Sequence, residues 1–137
     1  MSVLVDTSVW SLALRRQTRD LNPREAAVTL SLDDLIHKGK AQIVGSVRQE
    51  ILSGIREESQ FLKLRDALRS FRDTPLASED YEQAAHMSNL CRRHGVAGSA
   101  IDFLLCAIAS RRHWTIFTTD RDFNRYARLL AIKLYGA

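Results

Sequence analysis

The run Val3-Leu4-Val5 is apolar at every position, without the polar alternation of a strand that faces water on one side. A strand of that kind must be covered on both faces, which a parallel sheet flanked by helices achieves. Trp114-Thr115-Ile116-Phe117-Thr118, rich in β-branched and aromatic residues, is the clearest further strand. Ala41-Gln42-Ile43-Val44 reads as another, and 131–135 as the last. Helical patterns lie between them. Asn22-Pro23-Arg24-Glu25 supplies an Asn N-cap, Pro at the first helical position and Glu at the third, with apolar spacing through Ile36 and a stop at Gly39. Ser46 with Gln49 reads as a capping box opening a helix that carries Glu50 in its first turn or so. Phe61, Leu64 and Leu68 form the stripe of a helix over 57–71, and Thr74-Pro75-Leu76 reads as a short edge strand or turn. Ser78 starts a helix to about His94, Ser99 with Asp102 starts one to about Arg112, and 122–129 forms a short helix. Strands separated by helices imply right-handed βαβ units. The expectation is an α/β fold: one domain over 1–137, with a mostly parallel central sheet of four to five strands flanked by helices.

Four acids punctuate this pattern: Asp6, Glu50, Asp102 and Asp120 each end or follow an apolar segment. Asp6 and Asp120 fall after strands, and Glu50 and Asp102 occupy helix N-terminal regions, which also face the strands' carboxyl ends when helices follow strands in this way. All four are therefore expected at the carboxyl edge of the sheet, where open parallel sheets bind ligands. Like charges 5 Å apart at an effective dielectric near 20 repel by roughly 3 kcal/mol per pair, so a converging cluster calls for a cation. An all-oxygen ligand set without a Cys/His motif suits Mg²⁺ or Mn²⁺ rather than zinc. The residues alone thus point to a metal-dependent site for phosphate chemistry.

Each acid also has a bland reading. Asp102 at the third position of a helix favours the helix dipole by about 0.3–1 kcal/mol without any ligand. Asp6 suits an Asx turn at a strand end, and either acid of Asp120-Arg121-Asp122 suits a helix cap. Two residues apart, these last acids cannot share a face, so Asp120 is read as the ligand and Asp122 as the cap or an outer support. Glu50 can be a solvated helix residue, although Ile51 and Leu52 beside it suggest a partly buried turn. Singly each reading suffices; jointly they explain less than convergence does.

Charge and length narrow the class further. The 137 residues carry 20 Lys and Arg against 16 Asp and Glu, a net charge of +4, and sixteen of the twenty cations are Arg. Arg's planar fork suits phosphate, so Arg15-Arg16-Arg19, Arg65-Arg69-Arg72, Arg92-Arg93 and Arg111-Arg112 read either as a nucleic-acid surface or as solvated helix faces. No apolar run approaches the roughly 20 residues of a membrane span, which excludes insertion, and the N-terminus lacks a signal-peptide pattern. A cytoplasmic protein is expected. Cys91 and Cys106 read as small buried hydrophobes rather than a disulfide. His37, His86, His94 and His113 show no metal spacing, Trp10 and Trp114 read as core, and no nucleophile elbow, Walker loop or dinucleotide turn is present.

Taken together, these motifs resemble the PIN-domain ribonucleases, and within them the VapC-like toxins of type II toxin-antitoxin systems. Val-Leu-Val-Asp-Thr-Ser-Val-Trp is similar to the family's opening strand, with Asp6 as first metal ligand and Thr7 or Ser8 as supporting hydroxyl. Gln49-Glu50-Ile51-Leu52 is similar to its second acid motif, Asp102-Phe103-Leu104-Leu105-Cys106-Ala107 to the helix with the third, and Thr118-Thr119-Asp120-Arg121-Asp122-Phe123 to its closing motif. The match keeps the order of all four motifs over nearly the whole chain. Two departures stand out: Cys106 sits where the third-motif helix often has Ala, and Gly98-Ser99 precede Asp102 where many relatives carry another acid. The resemblance implies a metal-dependent endoribonuclease. Asp6, Glu50, Asp102 and Asp120 would be catalytic and hold one or two Mg²⁺ or Mn²⁺ ions, with Thr7, Ser8, Thr118 and Asp122 in support. Arg121 would bind the RNA backbone. It further implies water attacking in line with a leaving 3′ oxygen, a 5′-phosphate product, a homodimer, and a small VapB-like antitoxin that blocks the site.

Two alternatives remain at this point. An Asp-dependent phosphatase or phosphotransfer domain also ends its first strand in Asp, but its common Asp-x-Asp opening needs an acid where Ser8 stands. A non-catalytic nucleic-acid or partner-binding module has no need of all four acids.

Overall fold

A computed structural model describes residues 1–15 and 18–136. Arg16 of the first basic cluster lies outside the described residues. Within them the chain runs β1 (Val3–Val5), α1 (Thr7–Leu14), a 3-10 turn (Thr18–Asp20), α2 (Pro23–His37), β2 (Ala41–Gln42), α3 (Gly45–Leu52), α4 (Glu58–Leu68), α5 (Ser78–Arg93), α6 (Ala100–Arg112), β3 (Thr115–Phe117), α7 (Asp122–Leu129) and β4 (Lys133–Leu134). The four strands make one sheet in the order β2-β1-β3-β4, parallel throughout. Val3 is level with Ala41 and Thr115, and Val5 with Phe117. The α/β expectation holds, with four strands.

Covering both faces buries Val3, Leu4 and Val5 completely or nearly so, as their uninterrupted apolarity requires. Strand order reverses at β1: the chain leaves it for β2 on one side and returns to β3 on the other. The carboxyl ends of β1 and β3 therefore meet at a topological switch point, the usual mouth of a ligand site in such sheets.

Several helices form for the reasons the sequence offers. In α2 the Asn22 side chain accepts from the Glu25 N–H at 2.8 Å while Glu25 Oε1 accepts from the Asn22 N–H at 3.1 Å, a complete capping box. Gly39 takes the left-handed φ of +68° just past its end. Helix α6 is buried at every position from Phe103 to Ala109, because α5 packs on one side and β3 on another. A helix apolar all round is a core helix, and Cys106 within it is fully buried and free, as is Cys91 on α5.

Other local expectations are corrected. Helix α3 starts at Gly45 with Val44 as N-cap, and the Ser46 hydroxyl is buried without a hydrogen-bond partner instead of closing a box with Gln49. Glu50 falls in the second turn as a result. The strand read over 41–44 is shorter, with Ile43 bridging in parallel to Asp73 and its carbonyl accepting from Thr74 N–H. Ser78 is the first residue of α5 while Ala77 holds the cap position, and the Ala77 N–H is satisfied by Asp80 Oδ2 at 2.8 Å. Helix α1 carries no distinctive sequence signal: Asp6 is its N-cap yet makes no side-chain cap bond.

Candidate functional site

Parallel pairing brings Asp6 beside the end of β3, where its N–H donates to the Phe117 carbonyl at 2.9 Å. Its side chain, 6% exposed, is met by two hydroxyls: Ser8 Oγ and Thr118 Oγ1 each donate to Oδ2 at 2.8 Å. Those hydroxyls are oriented by backbone amides of the following turn. Thr119 N–H donates to Ser8 Oγ and Asp120 N–H to Thr118 Oγ1, both at 3.0 Å. The turn after β3 thus sets two hydroxyls, and the hydroxyls set one carboxylate oxygen. Thr7, the other candidate support, has a buried hydroxyl without a hydrogen-bond partner.

Burial raises the pKa of Asp6 above the usual carboxylate value; the Ser8 and Thr118 hydroxyls and the Ser8 and Thr7 amides pull the other way without cancelling it. Neutral donors offset part of the desolvation of a buried carboxylate but bring no opposing charge to complete the compensation. No Lys, Arg or His among the described residues pairs with Asp6. The contrast is Asp80, the other buried carboxylate, which is gripped by Arg111 at 2.5 Å and by Arg112 at 2.8 and 3.1 Å. Those guanidiniums, Arg112 first, hold the Asp80 carboxyl well below the usual range against its burial.

Asp102 stands in the first turn of α6, its N–H donating to the N-cap Ser99 Oγ at 3.1 Å. Its Oδ2 accepts from the Tyr126 hydroxyl at 2.7 Å. Burial, and then the charges of Asp102, Cys91 and Asp6, push the Cys106 thiol far up. The Tyr126 hydroxyl is likewise pushed up, first by burial and then by Asp102, Asp122 and Asp120. Asp6 follows β1 and Asp120 follows β3, its neighbour in the sheet, while Asp102 at the start of α6 is tied through Tyr126 to α7, the helix that follows Asp120. Glu50 is exposed on α3, without an ion pair or hydrogen bond among the described residues that ties it to the other three.

The division expected within Asp120-Arg121-Asp122 is partly reversed. Asp120 Oδ1 accepts from the Asp122 N–H at 2.9 Å, an Asx turn that satisfies the start of α7. Asp122 is already the first helical residue, too far along to cap, and pairs with Arg125 at 2.9 Å. Asp120 keeps its second carboxylate oxygen for other partners.

The donor set is hard oxygen: three carboxylates, the Ser8 and Thr118 hydroxyls, and the unpartnered Thr7 hydroxyl. Such groups fit Mg²⁺ or Mn²⁺ in chemistry. As placed, no three His, Cys, Asp or Glu among the described residues form a group that could hold an ion by themselves; Asp102 and Asp120 each accept one hydrogen bond, from Tyr126 and from the Asp122 N–H.

A cleft of 380 Å³ opens beside this edge, lined by Ser8, Ser11, Arg24, Thr119 and Arg121 among others. Arg121 and Arg24 are exposed and form no ion pair among the described residues. Other Arg are committed within the fold: Arg48 to Asp73, Arg65 and Arg69 to Asp66, and Arg111 and Arg112 to Asp80. The Arg111-Arg112 cluster is thus structural, whereas Arg65 and Arg69 share one Asp at the exposed surface. A 750 Å³ cleft lined by Arg15, Arg56, Lys63 and Leu64 contains none of the four acids. No described helix is long and apolar enough to cross a membrane.

Sequence reasoning passed over Tyr126 and Asp80. The first had a signal, a Tyr three residues after Phe123 on an apolar stripe, since a buried Tyr hydroxyl needs a partner. Asp80 had only its place three residues after Ala77.

Comparison with solved structures returns the same fold. FitAcB from Neisseria gonorrhoeae matches with a TM-score of 0.74 at 22% identity, covering 98% of this chain and 99% of that one. VapBC2 from Rickettsia felis, bound to a DNA fragment from their promoter, matches at 0.73 and 15% identity over 98% and 97%. A toxin-antitoxin complex from Klebsiella pneumoniae matches at 0.61 and 18% identity over 89% and 90%. No curated protein matches by sequence. The model of the PIN domain matches residues 3–129, a span that includes all four acids and supports a nuclease role. The chain belongs to the PIN-domain family.

Proposed function

We propose that this protein is a metal-dependent endoribonuclease whose site is the edge formed by Asp6, Asp102 and Asp120, with Glu50 supplying a fourth carboxylate. The observation that carries the reading is the state of Asp6. A carboxylate buried among neutral hydroxyls is a standing cost, whereas the fold neutralises its other buried carboxylate with two Arg. Perturbed acids of this kind cluster at functional sites. Asp6, Asp102, Asp120 and Glu50 would hold Mg²⁺ or Mn²⁺, which supplies a nucleophilic water at neutral pH and charge stabilisation to an in-line displacement. The residues' own share is orientation. Ser8 and Thr118 fix one oxygen of Asp6 and leave the other for use; Arg121, exposed beside Ser8 in the cleft, binds the RNA backbone. Hydrolysis would release a 3′ hydroxyl and a 5′-phosphate.

Toxin-antitoxin complexes among the similar structures support a further part of the reading, that this chain is a toxin held by a small antitoxin. A homodimer and a cytoplasmic location belong to it as well, and the exposed Tyr81 beside Ala85 and Ile101 supplies an apolar strip that a second copy could cover. The phosphotransfer alternative loses ground because Ser8, where its second acid would stand, serves Asp6 as a donor. A pure binding module gives no reason to bury Asp6.

The test is cleavage of a mixed-sequence RNA by the purified protein in Mn²⁺ or Mg²⁺. Cleavage is expected to stop in EDTA, to return when metal is restored, and to leave 5′-phosphate ends. Cleavage indifferent to chelator, or 5′-hydroxyl products, would refute the metal-dependent reading. Arg121→Ala is expected to weaken RNA binding across sequences and to lower the slope of log K against log salt by about 0.7, the share of one single-strand phosphate contact. An unchanged slope would remove Arg121 from the RNA surface.

A further inference from the structure

Asp102 occupies the helix position at which an acid ordinarily finishes a capping box. Half the box exists, because the Asp102 N–H donates to Ser99 Oγ. In the other half the carboxylate would return to the cap residue's N–H. Helix α2 does this through Glu25 and α5 through Asp80, at 3.1 and 2.8 Å. Among the described residues α6 does not: the Asp102 carboxylate instead takes the hydroxyl of Tyr126, 24 residues downstream, at 2.7 Å.

That hydroxyl is itself fixed. Tyr126 is fully buried, its ring tilted at 47° against Phe103 with centroids 5.1 Å apart and set edge-on to Phe123 at 5.2 Å. The backbone completes the pocket at Gly98, where a Cβ would run into the Tyr126 hydroxyl and stand 2.9 Å from its Cζ and 3.0 Å from Phe103 Cε2. Gly98 is therefore the residue that leaves room for the hydroxyl. Helix α7, which carries Tyr126, begins at the Asp120 turn, so one hydrogen bond fixes the helix that follows Asp120 relative to the helix that carries Asp102.

We propose that Tyr126 is a positioning residue of the site: its hydroxyl, held by ring packing and admitted by Gly98, keeps the Asp102 carboxylate off the helix cap and in the orientation from which it binds a divalent cation. The inference rests on the reading of Asp102 as a ligand. Partners that orient metal ligands typically control 10–100-fold in affinity.

Calorimetric titration with Mn²⁺ of the full chain and of Tyr126→Phe, Gly98→Ala and Asp102→Asn tests it, alongside thermal midpoints in chelator. Tyr126→Phe keeps both ring contacts and is expected to bind Mn²⁺ roughly 10–100-fold more weakly at a nearly unchanged midpoint, with Gly98→Ala shifted in the same direction. Affinity within about threefold of wild type in Tyr126→Phe, with Asp102→Asn impaired, overturns the positioning role alone. A lower midpoint with unaltered affinity does the same, assigning Tyr126 to packing. Wild-type affinity in Asp102→Asn instead overturns the reading of Asp102 as a ligand. Should Tyr126→Phe not fold, Gly98→Ala decides: wild-type affinity in it overturns the proposal.

Discussion

Asp6→Asn is expected to leave the fold intact and to slow RNA hydrolysis by roughly 10³-fold, the equivalent of about 4 kcal/mol of lost transition-state stabilisation. The shape of the group is kept, and its amide oxygen still accepts from the Ser8 and Thr118 hydroxyls that now meet Oδ2. Only the charge is lost. Because burial raises the Asp6 pKa in the folded state, the protonated carboxyl is the form that folding favours. Its stabilising contribution is complete below the unfolded value near 3.9 and is lost as pH rises through the raised folded value. At neutral pH without metal, Asp6 therefore opposes folding, and Asn should raise the thermal midpoint in chelator. Added Mn²⁺ should stabilise wild type and leave the variant behind. Equal cleavage rates for both proteins in Mn²⁺ would sink the nuclease assignment, and a variant less stable than wild type in chelator would contradict the account of Asp6 as an uncompensated charge.

How far a sequence discloses such a site depends on how local its causes are. Val3-Leu4-Val5 announces a strand covered on both faces, and the acid that follows is placed by covalent connection alone. The same holds for Asn22 and Glu25, whose capping box is written within four residues and observed as written. Convergence of Asp6 with Asp120 follows from parallel pairing of β1 with β3, which alternation of strand and helix implies without fixing the strand order.

Legibility fails where the deciding partner is distant. Ser46 offers a cap by pattern, but Val44, two residues past β2, is packed into the core, and the helix begins from there. In Asp120-Arg121-Asp122 the competition is between two acids for one helix start. The Asx turn from Asp120 wins because Thr118 Oγ1 already accepts its N–H and holds the turn in place. Asp102 looks like a cap from its neighbours, and only the Tyr126 hydroxyl arriving from α7 shows otherwise. Glu50 shows a related loss: its segment alone does not tell where α3 starts, and Val44 as N-cap sets it two residues, about half a turn, further along the helix than a Ser46 cap would suggest.

The largest effect on stability is expected away from the site, at Asp80. This carboxylate is fully buried where the first turn of α5 meets the last turn of α6, and it accepts from Arg111, from Arg112 through two nitrogens, and from the Ala77 N–H. Asp80→Asn removes the charge from between two part-buried guanidiniums, and removing one partner of a buried pair costs about 3–5 kcal/mol. Arg112 keeps the Pro75 carbonyl at 3.1 Å and its seat over the Trp114 ring at 5.6 Å, and Arg111 keeps Glu79 at 4.0 Å. The cost should fall at the lower end, about 3 kcal/mol, or on the order of 10 °C in Tm for a chain of this size. The sign with pH is opposite to that of Asp6. A folded pKa held down by the two Arg gives stability that is present above the unfolded value near 3.9 and lost as pH falls through the folded value. The gap between wild type and Asp80→Asn should thus be full at pH 7 and narrow below pH 4. Asp102 sits at the opposite end of α6 from Arg111 and Arg112, so Mn²⁺ affinity measured well below the lowered midpoint should match wild type. Urea unfolding at pH 7 and pH 3 reads both limbs: a loss under about 1 kcal/mol at pH 7, or a gap that widens in acid, would show that the pair does not hold α5 to α6.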